Sequence, residues 1–197
     1  MLKVGITGGI GSGKSTLCQM FRELGAPVYD SDAKAKFIMA NNESLKNEII
    51  EAFGEDSFIG EELNRQYLAN IVFTNSENLA ILNSLVHPKV KLDFEEWCKK
   101  QDAPYVIMEC AILFEAQFNL SVDRTICVLS PKPLRIGRVI SRDGSTKESV
   151  EERISNQLSD EEIHALSDLS VVNFDLEDLE DAAKVFDKKF RYEAAKD

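Results

Sequence analysis

The chain has 197 residues, 44% of them apolar, enough for one globular domain with room for insertions. Its formal net charge of −11 argues against nucleic acid as the main partner, and no apolar run of about 18 residues is present to cross a membrane. Met1-Leu2-Lys3 leads directly into an apolar strand pattern, without the basic and long apolar segments of a signal peptide. Cys18, Cys98, Cys110 and Cys127 lie far apart, form no CxxC pair and are accompanied by only two histidines. Neither a zinc site nor a disulfide framework is expected, and four buried, reduced thiols suit a cytoplasmic protein.

Val4–Thr7 predicts a first strand. It is followed by Gly8-Gly9-Ile10-Gly11-Ser12-Gly13-Lys14-Ser15, which matches GxxxxGK[ST]. In such a loop, glycines let backbone N–H groups turn inward around phosphates without a Cβ in the way. Lys14 is expected to reach the β- and γ-phosphates of ATP, and the Ser15 hydroxyl to coordinate Mg²⁺. The helix starting near Lys14, with Leu17, Met20, Phe21 and Leu24 on its apolar face, points its positive end at the same anion. No guanine-specific NKxD motif is present, and the short chain favours a small-molecule kinase over a switch or motor protein.

Pro27–Tyr29 predicts a second strand, with Asp30 and Asp32 just beyond it. If the chain stays extended there, both carboxylates face one side, where Asp32 could meet an acceptor hydroxyl. The alternative is that Ser31 or Asp32 caps a helix starting at Ala33. A long helical stretch follows: Ala33–Ala40, Ser44–Phe53, Arg65–Phe73, Glu77–Val86 and Val90–Lys100, punctuated by Gly54, Gly60 and Pro88. Tyr105–Met108 and Thr125–Leu129 predict a third and fourth strand, apolar throughout as in a parallel sheet covered on both faces. Glu109 follows the third strand in the manner of a Walker-B acid, or is a solvated acid at a strand end. Arg135, Arg138 and Arg142 share one helix face at i, i+3 and i+7. They suit a lid that clamps phosphate; the alternative is a solvated face paired with Asp143, Glu151 and Glu152. Ser170–Val172 is a weaker fifth strand. A final helix, Leu179–Tyr192, carries Leu179, Ala182, Ala183, Phe186 and Phe190 on one face.

Seven blocks now stand in one order: TGGIGSGKST (Thr7–Thr16), YDSD (Tyr29–Asp32), GEELNRQYLANIVF (Gly60–Phe73), LNSLVHP (Leu82–Pro88), ILFE (Ile112–Glu115), RIGRVISRD (Arg135–Asp143) before Asn156-Gln157, and SDLSVVN (Ser167–Asn173). Over nearly the whole chain this order resembles the dephospho-coenzyme A kinase family. The resemblance implies an α/β fold of the P-loop NTPase type, with a doubly wound, parallel, five-stranded sheet. The core would comprise residues 1–32, 101–133 and 158–197, the helical acceptor-binding region 33–100, and the lid 134–157. It implies ATP and Mg²⁺ as co-substrate and metal and dephospho-coenzyme A as acceptor, phosphorylated on its ribose 3′-hydroxyl. Gly9, Gly11, Ser12, Gly13, Lys14, Ser15 and Thr16 would serve the nucleotide, with Arg142 and Asn173, the latter near the adenine. Asp32 would be the catalytic base, with Lys14, Arg138 and Arg142 acting on the transferring phosphoryl. Thr7, Asp32, Arg65, His87 and Glu109 would serve the acceptor. The chain departs from the family's usual Asp-x-Pro-Leu-Leu-x-Glu at Glu109–Glu115, has Asn64 where Asp is common, and has Phe174-Asp175 where a glycine is usual after Asn173. A kinase for another small acceptor, such as a nucleoside monophosphate, and a nucleotide-dependent regulatory protein are the competing readings.

Overall fold

The computed structural model describes residues 1–72 and 75–196. They divide into two compact units: Met1–Asp30 together with the chain from Gln101 onward, and Ser31–Lys100. The first unit is built on five strands, β1 (Leu2–Thr7), β2 (Val28–Asp30), β3 (Tyr105–Glu109), β4 (Arg124–Leu129) and β5 (Leu169–Val172). All pair in parallel, in the order β2-β3-β1-β4-β5. The apolar runs predict these five parallel strands, and the doubly wound order is the one the resemblance implies. The chain leaves β1 toward one edge, through β2 and β3, and then crosses to the other side for β4 and β5. The switch point therefore falls at the carboxyl end of β1, where open parallel sheets bind ligands. The register aligns Ile6 of β1 and Asp30 of β2 with Glu109 of β3, so these strand ends are level.

Helix α1 (Lys14–Glu23) returns from β1 and buries Leu17, Cys18 and Phe21 against the sheet. They meet Val4 and Ile6 of β1, Tyr105 and Ile107 of β3, and Ile126 and Val128 of β4 in one core. Residues two apart on β1 share that face, as the period of a strand requires. Phe21 packs edge-on against Tyr105 with ring centroids 6.2 Å apart. Burial of each such large side chain contributes about 1.5–3 kcal/mol.

The second unit holds α2 (Ser31–Asn41), α3 (Glu43–Phe53), α4 (Arg65–Val72) and α5 (Ser76–Cys98). Asn42 caps α3 by accepting from the Leu45 N–H at 2.9 Å, and Gly54 ends that helix with positive φ. A short hairpin, Phe58–Ile59 with Glu62–Leu63, was not anticipated. The expected end of the fourth helix at Phe73 lies outside the described residues. Two expectations are corrected. Helix α5 runs unbroken through Pro88, where two helices were expected. Val86 and Val90 are buried on either side of an exposed Pro88, so packing of the inner face holds the helix together. The lost hydrogen bond falls on the solvent side, where a helix tolerates it. The second correction concerns Asp30 and Asp32. Because α2 begins at Ser31, Asp32 lies in its first turn rather than one strand period beyond Asp30.

Back in the first unit, α6 (Lys132–Asp143) and α7 (Lys147–Ser155) meet through Ile136, Val139 and Val150, with Ile10 and Ile154 packed against them. Helix α8 (Asp160–Leu166) starts at a complete capping box between Ser159 and Glu162. The last helix, α9 (Leu176–Ala194), buries Leu179, Ala183 and Phe190, with Ala182 and Phe186 beside them, on the face the spacing predicts. No described helix is long and apolar enough to cross a membrane. All four cysteines are buried.

Candidate active site

The phosphate loop spans the end of β1 and the start of α1. Gly13, the N-cap residue of α1, has φ of 105°, a conformation glycine adopts without strain, and it offers no side-chain cap. No N-cap side chain covers the first N–H groups of α1, the groups that bind an anion at a helix start. Ser12 is 1% exposed, and its hydroxyl has no protein partner. A buried orphan donor inside a ring of backbone amides fits a phosphate oxygen. Lys14 folds back over its own loop, its ammonium donating to the carbonyls of Gly8 at 2.6 Å and Gly9 at 3.3 Å.

The Ser15 hydroxyl donates to Glu109 Oε1 at 2.5 Å, so the motif serine and the acid ending β3 come together. Hydroxyl and carboxylate oxygens are the hard donors that Mg²⁺ takes, and it keeps the rest of its shell for phosphates and water. The donor set therefore fits that ion. Cys18, one turn further along α1, has its thiol pushed well up by burial, and the Glu109 charge adds to the shift. It is an inert core thiol. Thr7 is buried at the end of β1, and exposed Thr16 lines an open groove of about 680 Å³ between α1 and α9, with Met20, Leu176 and Lys184.

The three arginines of α6 have three different surroundings. Arg135 is 4% exposed, donates through Nε to the Ile10 carbonyl at 2.9 Å, and pairs with Asp160 at 2.6 Å. A Cβ on Gly9 would overlap its guanidinium, which explains a glycine there. Arg138 donates to the Ser130 hydroxyl at 3.0 Å and the Phe174 carbonyl at 3.1 Å, with longer contacts to Asn173. Arg142 is 62% exposed and is held by Asp143, with bonds of 2.6 and 2.9 Å. Asp143 also receives Arg153 at 3.6 Å, and this arginine company, Arg142 foremost, holds its carboxyl below the usual range. Of the acids named as partners for a solvated face, Asp143 is the one engaged by Arg142.

Asn173 is buried at the end of β5. Its amide donates to the Ser12 carbonyl at 2.6 Å, and a Cβ on Gly13 would overlap it. The side chain thus braces the phosphate loop from behind. In the helical unit, Asp32 is exposed in the first turn of α2 and Arg65 is exposed at the start of α4. His87 is half-buried in α5, and burial, aided by the Lys91 charge, lowers its pKa.

Sequence reasoning missed Gln157 and Asp160 as neighbours of the loop. Gln157 accepts from the Ile10 N–H at 2.9 Å and donates to the Ala111 carbonyl at 3.4 Å. The Asn156-Gln157 pair stands in the motif series, yet nothing in its spacing points back to Ile10.

A strand feeding a glycine loop, whose last turn opens a helix at the switch point of a 2-3-1-4-5 parallel sheet, is the architecture of the P-loop kinases. Comparison with known proteins narrows this class. The family profile described as dephospho-CoA kinase matches residues 2–178. A dephospho-CoA kinase of Bacteroides fragilis is 38% identical over 173 residues, covering 87% of this chain and 84% of that protein. The crystal structure of TT1252 from Thermus thermophilus superposes with a TM-score of 0.83 at 36% identity, covering 95% of this chain and 97% of that one. Dephospho-CoA kinase from Campylobacter jejuni superposes with a TM-score of 0.69 at 25% identity, covering 96% and 97%. The chain belongs to the dephospho-CoA kinase family.

Proposed function

We propose that this protein transfers the γ-phosphoryl group of ATP to the ribose 3′-hydroxyl of dephospho-coenzyme A, giving ADP and coenzyme A in the cytoplasm. The observation that carries this reading is the phosphate nest at Gly8–Ser15, with its orphaned Ser12 hydroxyl, in a chain whose family match spans residues 2–178.

In this reading Lys14 exchanges the Gly8 and Gly9 carbonyls for the β- and γ-phosphates, and the amides at the start of α1 hold the β-phosphate. Ser15 and Glu109 would hold Mg²⁺, which supplies positive charge to the phosphate oxygens when bound. Asp32 orients the 3′-hydroxyl and takes its proton as the new bond to phosphorus forms and the bond to the ADP oxygen breaks. Asp32 lies two residues past the end of β2, a strand whose terminus is level with Glu109. Arg142 leaves Asp143 for the transferring group, and Arg138 steadies the turn after β5. Thr7, Arg65 and His87 are assigned to the acceptor and Asn173 to the support of the nucleotide pocket.

The test is ADP release measured with a panel of acceptors. Dephospho-coenzyme A should accelerate ATP turnover far more than AMP, CMP or shikimate. Equal stimulation by a nucleoside monophosphate would overturn the acceptor, and slow hydrolysis that no acceptor accelerates would overturn the kinase reading.

A further inference from the structure

Ile10 stands at the crown of the phosphate loop between Gly9 and Gly11. Each of the two peptides that Ile10 shares adjoins a glycine, and rotates more readily because no Cβ restrains that side. A rotation there would turn a carbonyl, rather than an amide, toward an incoming phosphate. Here the Ile10 residue is held from three directions. Its N–H is bound by Gln157, its carbonyl by Arg135, and its side chain packs into the apolar junction of α6 and α7. The Arg135 guanidinium covers Gly9 so closely that a Cβ there would displace it, and the Arg135 carbonyl backs Gly11.

A nearly fully buried guanidinium is costly unless its charge is paired and its donors are used. Asp160, the first residue of α8, pairs with it at 2.6 Å. This fork spans the loop and α8, whereas an ordinary helix-surface pair would stay within α6.

We infer that Arg135 is a positioning residue for ATP. It fixes the Ile10–Gly11 peptide through the carbonyl, as Gln157 fixes the Gly9–Ile10 peptide through the N–H; together they keep the loop receptive to phosphate, and Asp160 holds Arg135 in place. This rests on the reading of the loop as the ATP site. Arg135 touches loop backbone and Asp160, so its effect on the nucleotide passes through Ile10.

The experiment measures binding of a magnesium complex of a non-hydrolysable ATP analogue and, separately, of dephospho-coenzyme A, alongside thermal melts. Arg135→Met should weaken nucleotide binding about ten- to a hundredfold, the scale of a lost charge-assisted hydrogen bond. Dephospho-coenzyme A binding should stay within about twofold. Arg135→Lys keeps the charge for Asp160 but cannot span both acceptors with a fork, so it should recover part of the affinity. Amide hydrogen exchange at Ile10 should quicken in the same order. Gln157→Leu removes the other half of the clamp without burying a charge, and should show the same selective loss even if Arg135→Met does not fold. Nucleotide affinity within about twofold of wild type in folded Arg135→Met or in Gln157→Leu would overturn the inference, as would equal losses for both ligands. Failure of the wild-type protein to bind the nucleotide would instead overturn the ATP-site reading.

Discussion

The phosphate loop and the helical unit present their candidate side chains in opposite ways. Around the loop, Arg135, Arg138, Asn173 and Gln157 are committed to backbone or side-chain partners, and several of these bonds fall on the loop backbone itself. In the helical unit, Asp32 and Arg65 stand exposed at helix starts and His87 is half-buried on α5. Oriented backbone dipoles work best when fixed in advance, because no reorganisation is then needed at the moment of transfer. Side chains that meet a long, flexible acceptor can adjust as it arrives. Arg142 is the exception in the first unit, since it is exposed and paired with a neighbouring acid that it can leave.

The contrast breaks most visibly at Asp32. Asp32→Asn should lower kcat by about 10²–10⁴, the scale of a general base. Its thermal stability should fall only by the about 0.3–1 kcal/mol of a first-turn helix charge. A variant that melts much lower yet keeps its rate would make Asp32 a helix-start residue and nothing more.

Arg142 tests whether an exposed residue of the first unit behaves like those of the second. Arg142→Met should lower kcat and kcat/KM together by about 10³ or less, since arginine clamps act chiefly on the transition state. Arg142→Lys should restore part of the rate, because it keeps charge without the bidentate fork. Wild-type rates in both variants at saturating ATP and acceptor would leave Arg142 as a solvated partner of Asp143, where exposed pairs contribute about 0–1 kcal/mol.

Arg65 sharpens the division between units. Arg65→Met should raise the KM for dephospho-coenzyme A about tenfold, consistent with loss of a charged hydrogen bond, and leave the KM for ATP unchanged. A shift in the ATP value instead would contradict a separate acceptor-binding role for the helical unit.

The smallest effect concerns His87. Its folded pKa lies below the ordinary value, so as pH falls the unfolded chain takes up the proton first. Stability is therefore lost as pH drops below about 6.5, the ordinary histidine pKa. Thermal melts of His87→Gln should show a shallower decline than wild type between about pH 7 and 5. An unchanged slope would remove His87 from the acid response.

Much of the first unit was legible in the order of residues. Short apolar runs of three to five residues located all five sheet strands, and the GxxxxGK[ST] spacing located the turn into α1, because both depend on neighbours in the chain. The bend of the chain at Ser31 was not legible, since YDSDA suits either an extended end or a helix start. Nor was the continuity of α5 through Pro88, where a local breaker is overruled by burial of Val86 and Val90.

The division among the α6 arginines shows the same limit. Spacing alone placed Arg135, Arg138 and Arg142 on one face and suggested one shared role. What Arg135 touches depends on Ile10 and Asp160, 125 and 25 residues away, and what Arg138 touches on Asn173, 35 residues away, whereas Arg142 pairs with its chain neighbour Asp143. By itself the sequence determined the strands, the phosphate loop and the family, because those are written in local pattern and motif order. Only the tertiary structure decided which cation braces the loop and which one waits in solvent, because burial and pairing of a charge are set by chain segments remote in sequence.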